Sequence, residues 1–161
     1  MQEIHELSNL EILLRLLAAF TCGAVIGLNR EFHNKPAGFR TFALVSLGSA
    51  VAVIVIEQEY GTGPDAVSRV IQGVLTGIGF LGAGVIFRRM APAKVAGLTT
   101  AAAVWLTAGL GVAAGAGQYF VAFTAAALGL VLLLLGGPFE RLLTGRKKKP
   151  DKPPQDLEPP T

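Results

Sequence analysis

Two heptapeptides in this 161-residue chain share a pattern with chemical meaning: Lys35-Pro36-Ala37-Gly38-Phe39-Arg40-Thr41 and Lys94-Val95-Ala96-Gly97-Leu98-Thr99-Thr100. Each reads Lys-x-Ala-Gly-x-x-Thr. Each follows arginine, Arg30 in the first case and Arg88-Arg89 in the second, and each leads into an apolar run. A helix that starts after a glycine turn presents unsatisfied N–H groups and the positive end of its dipole. Lys35, Arg40 and Lys94 add charge, and Thr41, Thr99 and Thr100 add hydroxyl donors. Two such ends side by side suit an anionic partner: phosphate, a lipid headgroup or an acidic protein surface. The same residues also fit a plainer role, in which the cations fix topology and the threonines cap or pack.

Groups for catalysis are sparse. His5 and His33 are the two histidines, and the topology below puts them on opposite sides of a membrane. Cys22 has no partner nearby in sequence. No serine sits in a nucleophile elbow, and the glycine-rich run lacks the lysine of a phosphate-binding loop. We therefore expect no enzyme and no cofactor. Cation channels and pumps place carboxylates near mid-membrane, and none stands there. Glu11 and Arg15 are the charges inside a proposed span, spaced i,i+4 so that they can pair. Glu57, Glu59 and Asp65 read as a solvated acidic loop, with loose attraction of a divalent cation as the alternative.

The elements that position these residues are long apolar helices. With 52% hydrophobic residues, 16% charged residues and 20 glycines, the chain reads as an integral membrane protein and not a soluble domain. Five spans reach bilayer length, near Leu10–Leu28, Thr41–Ile56, Val70–Phe87, Leu98–Ala114 and Tyr119–Leu135. The expected organisation is a short N-terminus over residues 1–9, a membrane domain over 10–135, and a basic, Pro-rich, disordered tail over 136–161. The acidic start MQEIHELSNLE lacks a signal-peptide pattern, so the first span is expected to be retained. Lys and Arg concentrate in segments 29–40 and 88–97 and in the tail, alternating with Lys/Arg-poor segments. The positive-inside rule then places the N-terminus outside and the C-terminus in the cytoplasm.

A shift of 59 residues aligns the chain with itself: Gly23, Ala24, Arg30, Lys35, Ala37, Gly38, Thr41, Ala43, Val45 and Leu47 meet identical residues, ten matches in 25 positions. Both copies run in the same direction. The expected fold is all-α, a five-helix membrane bundle built from two parallel-repeat hairpins plus a fifth helix. The stretch from Ile71 to Thr100, dense in glycine, is expected to be a helix packed on all sides. Gly23-x-x-x-Gly27, Gly73-x-x-x-Gly77 and Gly111-x-x-x-Gly115, with Gly82 and Gly84, are expected packing positions. Trp105, placed mid-span, reads as a packing anchor, and the leucine-rich fifth span as lipid-facing.

Three ordered blocks, GAVIGLNREFHNKPAGFRTFALVSLG, GIGFLGAGVIFRR and GLTTAAAVWLTAGLGVAAGAGQY, closely resemble the MgtC/SapB family of bacterial inner-membrane proteins. The resemblance covers about residues 10–135. It implies a small polytopic protein linked to growth in low Mg²⁺. In pathogens it implies survival within macrophages, with virulence members restraining the ATP synthase. Carried over by position, the signature residues are Arg30, Glu31, Lys35, Arg40 and Thr41, then Arg88, Gly97, Thr99 and Thr100. Asn29 departs from the family's common Glu, Phe42 from a polar residue, and Thr99 from the Asn of some virulence members. Longer members also continue into a cytoplasmic domain, which makes a housekeeping role as fitting here as a virulence one. The leading expectation is a protein that modulates a membrane partner or ion homeostasis under Mg²⁺ limitation. It works in the lipid bilayer and without nucleic acid, through a cytoplasmic surface of Arg30, Glu31, Lys35, Gly38, Arg40, Thr41, Arg88, Lys94, Gly97, Thr99 and Thr100. A transporter of Mg²⁺ or another small solute, and an oligomeric scaffold, are the alternatives.

Overall fold

Ser8 starts the first helix: its hydroxyl accepts from the Glu11 backbone N–H at 3.2 Å, and Glu11 stands at the capping-box position three residues on. In the computed structural model, which describes residues 7–60, 64–87 and 97–144, five helices follow in order. They are α1 (Asn9–Phe32), α2 (Phe39–Tyr60), α3 (Pro64–Phe87), α4 (Leu98–Gly115) and α5 (Tyr119–Thr144). Each has a stretch long and apolar enough to cross a membrane, and there is no strand among the described residues. Helix is the natural state for such runs because hydrocarbon offers no partner to a free amide.

The helices extend past the sequence-derived limits, chiefly α5 at its C-terminal end and α3 at its N-terminal end. α5 continues through Thr144, so the expected tail begins as helix. The polar flanks tolerate helix, which apolarity alone does not reveal. Residues 145–161 lie outside the described part.

The repeat is visible in three dimensions. Gly23 of α1 faces Phe42 of α2, and Gly82 of α3 faces Ala101 of α4, both pairs being related by the same 59-residue shift. α2 and α4 start at equivalent positions, Phe39 and Leu98. The first hairpin is the tighter. A Cβ on Gly23 would lie 2.6 Å from the Phe42 carbonyl oxygen, whereas one on Gly82 would meet the Ala101 side chain at an ordinary 3.6 Å.

The centre of the bundle is α4, which touches all four other helices, and α2 is gripped between α1 and α4. Gly23 and Gly27 bring α1 onto Phe42 and Phe39, and Gly111 and Gly115 bring α4 onto Ser46 and Ala50. Around these approaches lies a core of small residues: Ala18, Ala19, Cys22, Ala50, Ala108 and Ala114, with Ile26, Phe42, Val104 and Leu110 as the larger members. Backbones meet closely enough for van der Waals packing to hold helices together without a hydrophobic driving force.

Three packing expectations need correction. The described helical part of the Ile71–Thr100 stretch is not packed on all sides: the spanning part of α3 is 11% buried, against 44%, 39% and 50% for α1, α2 and α4. Gly73, Gly77 and Gly84 have nothing within 4 Å of an added Cβ, since the α3 face that meets the bundle runs instead through Val74, Ile78 and Gly82. Trp105 is 52% exposed. The buried stripe of α4 passes through Thr100, Ala103, Val104, Thr107, Ala108 and Gly111, and Trp105 points off it. The fifth helix does face outward, 17% buried along its span.

Candidate functional site

α1 leaves the bundle centre at Asn29 and Arg30, and its last turn is closed by its own loop. The Asn34 N–H donates to the Glu31 carbonyl at 2.9 Å and the Lys35 N–H to the Arg30 carbonyl at 3.0 Å. The His33 ring Nδ1 sits 2.7 Å from the Asn29 carbonyl and so carries the hydrogen. Asn34 takes the left-handed conformation (φ 50°), which Asn tolerates, and this turns the chain back toward α2.

Glu31 caps that second helix. Its Oε2 accepts from the Phe39 N–H at 2.8 Å, putting a carboxylate on the positive end of α2. Gly38 makes room for it, since a Cβ there would stand 2.8 Å from the same oxygen. Glu31 is thus engaged with backbone, and no ion pair to it is formed among the described residues. An open hollow of about 720 Å³ gathers Glu31, Lys35, Gly38, Phe39, Arg40 and Thr41. Lys35, Arg40 and Thr41 are exposed there.

Arg30 behaves differently from its neighbours. It is 4% exposed, and its Nη2 donates to the Thr100 hydroxyl at 2.8 Å, 70 residues away in sequence. That bond ties the end of α1 to the first turn of α4, joining the two repeats. Thr100 is itself 2% exposed. Arg30 Nε and Asn29 Oδ1 are buried without a hydrogen-bond partner. Gly97 opens α4 with φ 97° and gives no side-chain cap; a side chain there would be strained and would crowd the Val85 carbonyl. Thr99 is exposed beside it. Arg88 and Lys94, expected at this surface, lie outside the described residues.

At the other end of the bundle Arg15 makes the cluster that the sequence reading half anticipated. Its Nη2 meets Glu11 Oε1 at 2.6 Å, the expected i,i+4 pair. Its Nη1 also meets Glu57 Oε2 at 2.5 Å and the Gly115 carbonyl at 2.8 Å. Glu57 is therefore not a free loop acid. It continues the buried stripe of α2 after Ala50, Val53 and Ile54, a periodicity that would have placed it had the helix been carried one turn further. Gly117 (φ 71°) turns the chain directly over the guanidinium. Among the described residues, no three of His, Cys, Asp and Glu gather as a metal site.

Comparison with known proteins fits this architecture. The model of the MgtC family matches residues 16–142. The chain belongs to the MgtC family. It is 47% identical over 143 residues to Protein SrpB of Synechococcus elongatus, covering 80% of this chain and 74% of that protein. It is 46% identical over 107 residues to Protein MgtC of Salmonella typhimurium, covering 66% of this chain and 44% of that one. It is 40% identical over 131 residues to YhiD of Escherichia coli K12, named there as a candidate magnesium transporter, with 76% and 59% covered. The alignment thus spans less than half of the Salmonella protein. No solved structure matches the chain. As an MgtC-family chain with five apolar helices, it is a multi-pass membrane protein.

Proposed function

We propose that this MgtC-family protein is a non-enzymatic component of the bacterial inner membrane that acts in Mg²⁺ homeostasis by engaging an acidic surface of a membrane partner. The engaging surface is the basic end, where Lys35, Arg40 and Thr41 stand exposed around the start of α2, with Arg30 buried beneath it against the start of α4. The observation that carries the reading is the Arg30–Thr100 contact at 2.8 Å, because it sets the end of α1 beside the start of α4. The asymmetry of charge supports it further: Glu57 and Glu11 at the opposite end are engaged by Arg15, whereas Lys35 and Arg40 are exposed. The Lys/Arg excess of segments 29–40 and 88–97 supports a cytoplasmic position for this end. The magnesium link comes from the name of the YhiD relative and from the resemblance above.

The test is complementation. In a bacterium lacking its own MgtC-family protein, wild type restores growth at low Mg²⁺. Arg40→Ala reaches the membrane in equal amount and fails to restore it. Equal growth with both would overturn the reading. Saturable Mg²⁺ flux by purified wild type in liposomes, abolished by Arg40→Ala, would replace it with transport.

A further inference from the structure

Arg30 is a buried cation facing the positive pole of a helix. Its guanidinium bonds Thr100 in the first turn of α4, where the leading N–H groups lack intrahelical acceptors and Gly97 offers no side-chain cap. Its own helix contributes a negative pole, where three carbonyls bond their own loop: Asn29 with His33, Arg30 with Lys35 and Glu31 with Asn34. The adjacent carboxylate of Glu31 is directed to the Phe39 amide and forms no ion pair with Arg30. Among the described residues no carboxylate reaches Arg30. Its Nε is buried and without a partner. Arg15 Nε is likewise without a partner, but that guanidinium has two carboxylates. Among the described residues Arg30 bonds a neutral hydroxyl and meets no carboxylate, which calls for a negative group.

We propose that a tetrahedral phosphate-class oxyanion, free phosphate or the phosphodiester of a lipid headgroup, binds between the Arg30 guanidinium and the N-terminus of α4, with the Thr100 hydroxyl as a further ligand. The guanidinium fork suits two phosphate oxygens, and helix-end amides suit a third. Thr100 donates its hydrogen to the anion while accepting from Arg30, which a hydroxyl can do at once. The oxyanion completes the end of the bundle and presents the two repeat turns as one surface. This deepens the working-surface reading and rests on it. The growth assay tests that reading and the binding assay tests the ligand, so the two fail separately.

The experiment uses full-length protein stripped of lipid in a nonionic maltoside detergent. Inorganic phosphate is titrated in one arm and phosphatidylglycerol in the other, with the thermal unfolding midpoint as readout. Wild type is expected to show saturable stabilisation, by phosphate if the site takes a soluble oxyanion, or by the lipid alone if it takes a headgroup. Arg30→Gln removes the fork. Asn29→Asp keeps it but puts a negative charge into the same buried end, which repels the anion. Both should bind roughly tenfold or more weakly, Arg30→Gln by losing a charge-assisted hydrogen bond and Asn29→Asp by charge repulsion, whereas Gly77→Ala binds as wild type. If Arg30→Gln fails to fold, Asn29→Asp carries the comparison. The Arg30 Nε–H resonance of nitrogen-labelled wild type, which moves on ligand addition, reports without any variant. Stabilisation of folded wild type by neither ligand, or equal stabilisation of wild type and Asn29→Asp, overturns the proposal.

Discussion

Arg15 and Arg30 lie on one helix, about four turns apart, and each reaches an end of α4. Both are buried, at 5% and 4% exposure. Arg15 meets the C-terminal end, where the Gly115 carbonyl and the dipole favour a cation, and two carboxylates join it. Arg30 meets the N-terminal end, where the dipole opposes a cation, and has a hydroxyl. Similar burial therefore conceals opposite electrostatics. The first arginine is a clamp joining α1, α2 and α4. The second is a charge held in place and left uncompensated by described side chains, which is the arrangement expected of a site that binds something.

Substitutions that separate these roles sharpen the contrast. Arg15→Met carries the largest effect. It strands Glu57 in a partly buried position and should cost about 3–5 kcal/mol, the usual result of removing one partner of a buried pair; a thermal or denaturant unfolding series in detergent measures it. Gly111→Val comes next, because even a Cβ there collides with the Ser46 carbonyl of α2. Overpacking of this kind costs about 1–3 kcal/mol, read in the same unfolding series and as lower yield of inserted protein. Gly77→Ala lies on the open face of α3 and should change stability by no more than about 0.5 kcal/mol. A loss from Gly77→Ala as large as that from Gly111→Val would mean that α3 packs as tightly as α4, contrary to the geometry.

The sequence made the helices readable because apolar runs of this length have one stable form in a bilayer. It made the repeat readable because the Lys-x-Ala-Gly-x-x-Thr turns recur at a fixed shift. Glycine spacing was a weaker guide. The same x-x-x interval occurs at Gly23–Gly27, Gly73–Gly77 and Gly111–Gly115, yet the middle pair faces outward, and which face of a helix meets a neighbour depends on the whole bundle. Trp105 misled for the same reason. At the candidate site, Glu31, Lys35, Gly38, Arg40 and Thr41 line one hollow, as their nearness in sequence allows. The Arg30–Thr100 bond was not legible, since nothing local marks a contact 70 residues apart. Glu57 was missed because a carboxylate at the end of an apolar run resembles a loop residue until the helix carries it onto the buried stripe.

The central claim is that one buried arginine is compensated by carboxylates and that the other, among the described residues, is not. The most direct test is the unfolding midpoint of Arg30→Met beside that of Arg15→Met, in the same phosphate-free, neutral detergent. Removing an uncompensated buried charge in favour of an apolar side chain should leave stability within about 1 kcal/mol of wild type, or raise it, while Arg15→Met falls well below. A fall for Arg30→Met as deep as that for Arg15→Met would show that Arg30 is a structural clamp too, and would contradict the account.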